Sequence, residues 1–158
     1  MRGARRRHLM AAAALAGVGV ALRVQAQGAS AVPALLQDAA LRQALARFSA
    51  GAPLREGRIR LELPEMVENG NAVPLTVTVD SPMTAQDHVV SIALFTSRNP
   101  APEVAEFRLG PASGRARVST RIRLATSQQV VAAARMADGS VWTRSADVLV
   151  TLAACVES

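Results

Sequence analysis

Apolar and polar residues alternate in several short segments of this chain, whereas one earlier segment follows the period of a helix. Between Val32 and Phe48, apolar residues recur at helical spacing. Pro33 suits the first turn of this helix, and Gly51 and Pro53 are placed to end it. From residue 58 onward the period becomes two, which is the pattern of strands with one buried face. The pattern therefore predicts one helix followed by strands.

Seven short strands are predicted after the helix, each bounded by a turn signal. They cover residues 58–63, 73–80, 89–96, 103–109, 116–124, 129–136 and 141–152. Glu65 to Asn71 is interpreted as a loop because it contains Asn-Gly-Asn, and Asp138-Gly139 predicts a tight hairpin turn. Strands at this spacing predict an all-β fold, an immunoglobulin-like antiparallel β-sandwich of about seven strands preceded by one N-terminal helix.

The first 26 residues have the pattern of a cleaved export signal. Arg5–Arg7 precede an apolar stretch, Ala11–Leu22, which is too short for a membrane anchor, and a cleavage site follows at Ala26. The paired arginines before His8 resemble a twin-arginine signal, and a general-secretion signal is the alternative. With either signal, the mature chain is expected to begin near Gln27, outside the cytoplasm.

Removal of this leader changes the charge of the chain. The formal net charge of +6 counts 18 basic against 12 acidic residues, and every basic residue is an arginine. Five arginines and no acid precede Gln27, which leaves 13 arginines against 12 acids, a net charge of +1. So small a charge gives no argument for binding nucleic acid or a membrane surface.

Four segments are thus predicted along the chain. They are a signal peptide (residues 1–26), a helix with a linker (27–56), a β-sandwich (57–152) and a C-terminal arm (153–158). The sandwich has the size of one domain with one core. It holds no disulfide, because Cys155 is the only cysteine in the chain. Packing, or a partner subunit, has to stabilise it.

Cys155 is the residue to which the sequence points for chemistry. It lies three residues from the C-terminus, where chain ends are usually exposed, and it has no second cysteine with which to pair. Another molecule can therefore reach its thiol, and we predict that this thiol is the working group of the protein. The alternatives are an incidental terminal cysteine and a cysteine that cross-links two chains.

The mature chain offers few residues that would suit a cysteine enzyme, a metal site, a phosphate-binding loop or a pair of catalytic carboxylates. A Cys155–His88 dyad would make a cysteine enzyme, but His88 is better explained as a loop residue before a strand. A blue-copper site needs two histidines, and a zinc site needs clustered Cys and His ligands, which the mature sequence does not offer. Neither a phosphate-binding glycine pattern nor a pair of catalytic carboxylates is found. The sequence therefore predicts no cofactor and no metal.

Most of the mature chain resembles the SoxY family, the sulfur-carrier subunits of the periplasmic thiosulfate-oxidising system. The segments that carry the resemblance are Ile59–Met83, Asn99–Phe107, Pro111–Ala125 and Met136–Ser140. The Glu-Asn-Gly-Asn-Ala-Val-Pro run of residues 68–74, together with the terminal cysteine, makes the resemblance specific. The leader agrees with it, since this family is typically exported by the twin-arginine route.

The resemblance implies both a fold and a function. Members of the family are immunoglobulin-like sandwiches with a C-terminal arm, whose cysteine carries sulfur as a covalent adduct. Partner enzymes attach, hydrolyse and oxidise this sulfur, and the carrier forms a heterodimer with a second small subunit, SoxZ. Cys155 matches the carrier cysteine by its position. The resemblance thus implies a periplasmic sulfur carrier that is not itself an enzyme.

The arm departs from the family pattern. Family arms are glycine-rich on both sides of the cysteine, whereas here Ala153 and Ala154 precede it and Val156 and Glu157 follow it. Alanine and valine restrict the backbone more than glycine does, and a carboxylate near a thiol favours the protonated thiol. The alternative function is a diverged SoxY-like paralogue whose thiol serves another sulfur pathway or only cross-links subunits.

Overall fold

The computed structural model describes residues 38–152; the predicted signal peptide and the arm with Ala153, Ala154, Cys155, Val156 and Glu157 lie outside them. This part of the chain contains one α-helix, α1 (Ala39–Ser49), and nine strands. The strands are β1 Leu54–Arg55, β2 Ile59–Glu62, β3 Met66–Asn69, β4 Val73–Val79, β5 Val89–Thr96, β6 Glu103–Arg108, β7 Arg117–Ile122, β8 Gln128–Met136 and β9 Val141–Leu152. Two single 3₁₀ turns are Gly70–Ala72 and Pro111–Ser113.

The strands form two sheets that pack face to face. In the larger sheet the order of neighbours is β1, β9, β8, β5, β6, and β3 also pairs with β9. The smaller sheet has the order β2, β4, β7. All pairs are antiparallel except those of β1 and β3 with β9, which are parallel. The predicted fold, an immunoglobulin-like β-sandwich preceded by a helix, is confirmed.

The core between the two sheets is built from the side chains that each sheet directs toward the other. In β4, Val73, Leu75, Val77 and Val79 are buried, whereas the residues between them are half-buried or exposed. The larger sheet packs against them with Val89, Ile92, Leu94, Val130, Ala132, Ala134, Val148 and Val150. Period-two alternation therefore reports a strand correctly wherever only one face of the sheet is covered.

Helix α1 covers the outer face of the larger sheet. Its residues Leu41, Ala44, Leu45 and Phe48 are buried there. They pack against Ala93, Phe95, Val131, Ala133 and Val141. Because both faces of β5 and β8 are covered at this place, these strands are apolar runs rather than alternating ones. The small alanines of the sheet leave room for the larger side chains of the helix.

The helix begins later than the sequence predicted. Asp38 is its N-cap, with an extended backbone (φ −95°, ψ 120°). Its carboxylate accepts hydrogen bonds from the N–H groups of Ala40 and Leu41 at 2.8 and 3.0 Å. Helix α1 begins at Ala39 because Asp38 satisfies its unpaired N–H groups, and Pro33, where the sequence predicted the first turn, lies outside the described residues.

The C-terminal end of the helix is tied to the sheet by Arg135. Ala50 adopts the left-handed conformation (φ 50°) and closes the last turn. The Arg135 guanidinium donates a hydrogen bond to the carbonyl of Phe48 and lies 4.7 Å from the centre of its ring. The Phe48 ring meets Phe95 edge to face, with 5.8 Å between centroids. A cation beside the last carbonyl groups of a helix also favours its dipole.

Strands β1 and β3 have no counterpart in the sequence prediction. The loop predicted from Glu65 to Asn71 contains β3, in which Val67 is the one side chain that packs against the core. A strand with so little buried apolar surface carries no recognisable alternation. β1 is only two residues long. Both strands form because β9 is long enough for β1 and β3 to pair with the edge that β8 does not occupy.

Replacement of Leu45 by alanine should destabilise the protein, because this side chain is 1% exposed beneath the helix. We expect a loss of about 2–4 kcal/mol in the free energy of unfolding, as for other buried Leu→Ala changes. Urea unfolding followed by the fluorescence of Trp142, the single tryptophan, measures it. The exposed Gln43→Ala on the same helix serves as the control and should leave the midpoint unchanged. Equal midpoints for both variants would show that the helix adds nothing to stability.

Candidate functional site at the root of the C-terminal arm

β9 is the strand that leads to the arm, and the sandwich holds it up to its last residue. Leu152 is paired with Asn69 of β3. Val148 and Val150, just before this end, are buried in the core. The Ser127 hydroxyl accepts a hydrogen bond from the N–H of Val150 at 2.8 Å and donates to its carbonyl at 3.2 Å. The chain is therefore fixed to a point three residues before Cys155.

The turn that follows β3 lies beside this strand end. The Asn69 side-chain oxygen accepts a hydrogen bond from the N–H of Asn71 at 2.8 Å. The Gly70 carbonyl accepts one from the N–H of Leu124, also at 2.8 Å. A Cβ atom on Gly70 would lie 2.2 Å from the carbonyl oxygen of Leu124, so only glycine permits this approach.

Two further loops meet here and are locked together by Asn99 and Gln128. The Asn99 amide donates to the carbonyl of Arg123 at 2.8 Å, and its oxygen accepts from the N–H of Ala125 at 3.0 Å. The same oxygen accepts from the Gln128 amide at 2.8 Å. The Gln128 oxygen accepts from the N–H of Arg98 at 2.7 Å, and this side chain is only 6% exposed.

We call residues 69–72, 97–100 and 123–128 the arm-root platform. Three of the segments that carried the family resemblance, around Gly70, Asn99 and Leu124, contribute to it and lie together beside the end of β9. Sequence reasoning found these segments only as patterns and missed both Gln128 and the role of Gly70. No signal within any one segment shows its distant partner. The platform is thus a rigid support from which the cysteine-bearing tail continues.

The predicted site residues themselves lie beyond the part of the chain that the structure describes. These residues are Cys155 and the flanking Ala153, Ala154, Val156 and Glu157. Their assignment as sulfur attachment site and carrier arm stays a prediction. The structure does fix the length of chain between the platform and the thiol: Cys155 lies within about 11 Å of Leu152, since each residue spans at most about 3.6 Å.

Three exposed apolar side chains lie next to the platform, and two of them, Met66 and Leu149, are on the outer face of the larger sheet. Met66 and Leu149 lie opposite each other in register and are 60% and 48% exposed. Leu152, at the end of the same strand, is 67% exposed. We call these three the apolar patch; elsewhere in residues 38–152, Val90 is the other exposed large apolar residue. The charged side chains that line the adjoining groove are three acids, Asp38, Glu65 and Asp147, and one base, Arg98.

His88 lies at the opposite end of the sandwich. Its Nδ1 is 3.0 Å from the carbonyl oxygen of Thr84, and its own carbonyl accepts a hydrogen bond from the N–H of Ala137, near the start of β9. The 12 residues of β9 separate its two ends by roughly 36 Å at about 3.3 Å per residue. Because Cys155 stays within about 11 Å of Leu152, a Cys155–His88 dyad within one chain is excluded.

The far end also carries a group of charged side chains around a tight turn. The Asp138 carboxylate accepts hydrogen bonds from the Ser140 hydroxyl at 2.6 Å and from its N–H at 2.9 Å. These two bonds, with a smaller contribution from Arg58 and Arg55, lower the pKa of Asp138 below its ordinary value. The same arginines flank Trp142 at 5.4 and 5.9 Å. All these groups stabilise the turn and lie away from the arm-root platform.

Residues 38–152 thus form a β-sandwich in which strand β9 is held by the arm-root platform up to Leu152. A family profile described as sulfur oxidation protein SoxY matches residues 44–155. The structure of the sulfur carrier protein SoxY from Chlorobium limicola f thiosulfatophilum is similar, with 31% sequence identity and a TM-score of 0.59. The similarity covers 70% of this chain and 90% of that chain. The chain belongs to the SoxY family.

Other similar structures show the fold alone. The superoxide reductase (neelaredoxin) from Ignicoccus hospitalis is 18% identical, covers 60% of this chain and 80% of that chain, and has a TM-score of 0.54. The superoxide reductase from Nanoarchaeum equitans is 10% identical, covers 61% and 100%, and has a TM-score of 0.52. A comparison with curated protein sequences finds no match. Among residues 38–152, no cluster of His, Cys, Asp and Glu side chains could hold a metal ion, and no helix has the length and apolarity to cross a membrane.

Gly70→Ala should disturb the platform, because the added methyl group meets the backbone carbonyl of Leu124 and not a side chain that can move. We expect the free energy of unfolding to fall by about 1–3 kcal/mol, the usual range for overpacking. Gly110→Ala is the matched control: Gly110 is extended (φ −160°), and a Cβ there meets nothing within 4 Å. Urea denaturation of both variants provides the test. A neutral Gly70→Ala would mean that the turn does not need glycine.

Proposed function

We propose that this protein is a periplasmic sulfur carrier of thiosulfate oxidation, exported by the leader of residues 1–26, in which Cys155 holds sulfur intermediates as covalent adducts. Membership of the SoxY family supports the role in sulfur oxidation. The observation that carries the proposal is the arm-root platform, which fixes β9 up to Leu152, three residues before Cys155 in the sequence. This arrangement suits a group that is presented to other proteins.

The chemistry assigned to Cys155 is that of a thiolate nucleophile. Joining its sulfur to the outer sulfur of thiosulfate forms an S–S bond and removes two electrons, which the attaching enzyme has to accept. Hydrolysis of the adduct then releases sulfate and two protons and leaves a persulfide on the cysteine. The carrier supplies position and access, and its partner enzymes supply the catalytic groups. The distance of His88 from the arm supports this division, since no histidine base of the mature chain reaches the thiol.

The composition of the arm favours a second candidate, the diverged SoxY-like paralogue. Ala153, Ala154 and Val156 give the backbone less freedom than the glycines of family arms. Glu157 places a negative charge near the thiol, which opposes both thiolate formation and the approach of an anionic substrate. In that case the fold and the platform serve a different sulfur pathway, or the thiol only cross-links two subunits.

We propose in addition that a SoxZ-like subunit forms a heterodimer with this chain by covering the apolar patch. Met66, Leu149 and Leu152 expose apolar surface next to the platform, where a monomer gains nothing from it. β3 also leaves the free edge of a strand there, and such an edge is normally covered or charged. A partner on this face would leave the tail accessible, because the tail leaves from the end of the sandwich.

Cys155→Ser should abolish sulfur loading without affecting the fold. Incubation of the mature protein with thiosulfate and the attaching enzyme, followed by intact mass, should show an adduct on the wild type and none on the variant. Their urea unfolding curves should coincide, because residue 155 lies beyond the last strand. An identical mass shift in the serine variant would refute the carrier assignment. A wild type that forms a disulfide-linked dimer and never an adduct would favour the cross-linking alternative.

The double variant Met66→Glu/Leu149→Glu should weaken binding of a SoxZ-like subunit. We expect the dissociation constant to rise by at least about tenfold, which corresponds to about 1.4 kcal/mol. Val90→Glu, on a residue 36% exposed at the other end of the sandwich, is the control and should bind like the wild type. Titration calorimetry with the purified subunit measures the affinity. Unchanged binding by the double variant would show that the partner sits on another face.

A further inference from the structure

Arginines are concentrated on the outer face of the smaller sheet. From residue 115 to residue 124, alternate side chains along β7 and its flanks point inward and are buried or half-buried. The outward-facing positions are all exposed, and they are Arg115, Arg117, Ser119, Arg121 and Arg123. Alternation in this strand therefore separates an apolar face from a strongly basic one.

The neighbouring strands extend the basic surface. Arg60 of β2 lies opposite Thr78 of β4, which lies opposite Arg117 of β7, so these three form one row across the sheet. Adjacent strands are about 4.8 Å apart, which places the backbones of Arg60 and Arg117 about 10 Å apart. We call Arg60, Arg115, Arg117 and Arg121 the arginine face. A groove at one end of it is lined by Arg58, Arg60, Arg115, Arg117 and Arg144, together with Asp80.

The protein neutralises little of this charge internally. At the border of the face, Arg58 forms an ion pair with Asp87 at 3.3 Å. The four members of the arginine face have no ion-pair partner among residues 38–152. Two acids share this surface: Glu62, opposite Thr76, lies between the arginine rows, and Asp80 lines the groove at one end. Charges at about 10 Å still repel each other at moderate ionic strength, where the Debye length is similar.

The arginine face is continuous with the arm-root platform. Ile122 of β7 lies opposite Val73, the residue directly after the 3₁₀ turn of the platform. Arg121 is therefore one register position from the platform. Because Cys155 stays within about 11 Å of Leu152, any enzyme that takes the thiol into its active site has to touch this end of the sandwich. The surface that adjoins this contact is basic.

We propose that the arginine face is the docking surface for the enzyme that attaches sulfur to Cys155, and that this enzyme presents an acidic surface to it. The inference rests on the proposed carrier function. Charge complementarity is the argument: an uncompensated charged face next to a reactive group raises the rate of productive encounter with an oppositely charged partner. Met66 and Leu149 of the apolar patch lie on the opposite side of the sandwich, so a partner subunit bound to them and a docked enzyme occupy separate faces.

The test compares the loading rate of charge variants of the mature carrier. Arg117→Glu/Arg121→Glu reverses two charges of the face, and Arg47→Glu/Arg108→Glu makes the same change of net charge on exposed residues elsewhere. Arg117→Lys/Arg121→Lys keeps the charge. Growth of the thiosulfate adduct, followed by intact mass with the attaching enzyme, gives kcat/KM. We expect a loss of about tenfold or more for the first variant at low ionic strength, and near wild-type rates for the other two.

Two further measurements, the loading rates at high salt and the loading of the wild-type carrier, distinguish the possible outcomes. In about 0.5 M NaCl, where the Debye length falls to about 4 Å, the difference between the first variant and the wild type should disappear. Equal rates at low salt, an equal loss in Arg47→Glu/Arg108→Glu, or a loss that persists in salt would each overturn the docking inference. In those cases a wild type that loads normally still supports the carrier function. A wild type that never loads overturns the carrier function and the docking inference together.

Discussion

The pairing of β9 on both of its edges is the constraint on which the rest of the structure depends. β8 pairs with it from Val141 to Val148, while β1 and β3 share the opposite edge. Beyond Val148 there is no further β8 residue, and the hydroxyl of Ser127 bonds to both backbone groups of Val150 in place of a strand. One side chain thus extends the pairing to the point from which the tail leaves. The proposed carrier function depends on this fixed point, because the reach of Cys155 is measured from Leu152.

The elements that the sequence predicts correctly are those whose pattern arises within the element itself. β4 and β7 alternate because one face of each meets the core, and the run in β8 is apolar because helix α1 covers its second face. The sequence pattern does not predict β3, because this strand is defined by its pairing with β9 and Val67 is its one side chain that packs against the core. The helix begins later than predicted for a related reason. Asp38 suits a helix interior poorly and an N-cap well, but Pro33 also suits a first turn, so the sequence offers two possible starts.

The sequence likewise singles out one part of the candidate site and not the other. Cys155 stands out from composition alone, because a single thiol on a chain end needs no fold to be noticed. The platform does not stand out, because Gly70 is required by a carbonyl of Leu124, and Asn99 meets Gln128 only once two loops are folded together. Each of these residues looks like ordinary turn chemistry by itself. Physical reasoning from sequence therefore predicted a reactive group and recognised the family pattern, but it did not find the support that the pattern encodes.

The distribution of charge shows why the small net charge of the mature chain is a poor guide to its interactions. The groove beside the apolar patch is lined by Asp38, Glu65 and Asp147, whereas the outer face of the smaller sheet carries the arginine face. These charges nearly cancel in the total, yet at physiological ionic strength a partner senses charge within about 8 Å of its own surface. A partner approaching the smaller sheet therefore meets a mainly basic surface, whereas the groove beside the apolar patch carries three acids and Arg98. The arginine face and the acid-lined groove lie on different sides of one sandwich, and both adjoin the arm-root platform. An acidic protein attracted to the arginine face would therefore arrive beside the arm-root platform.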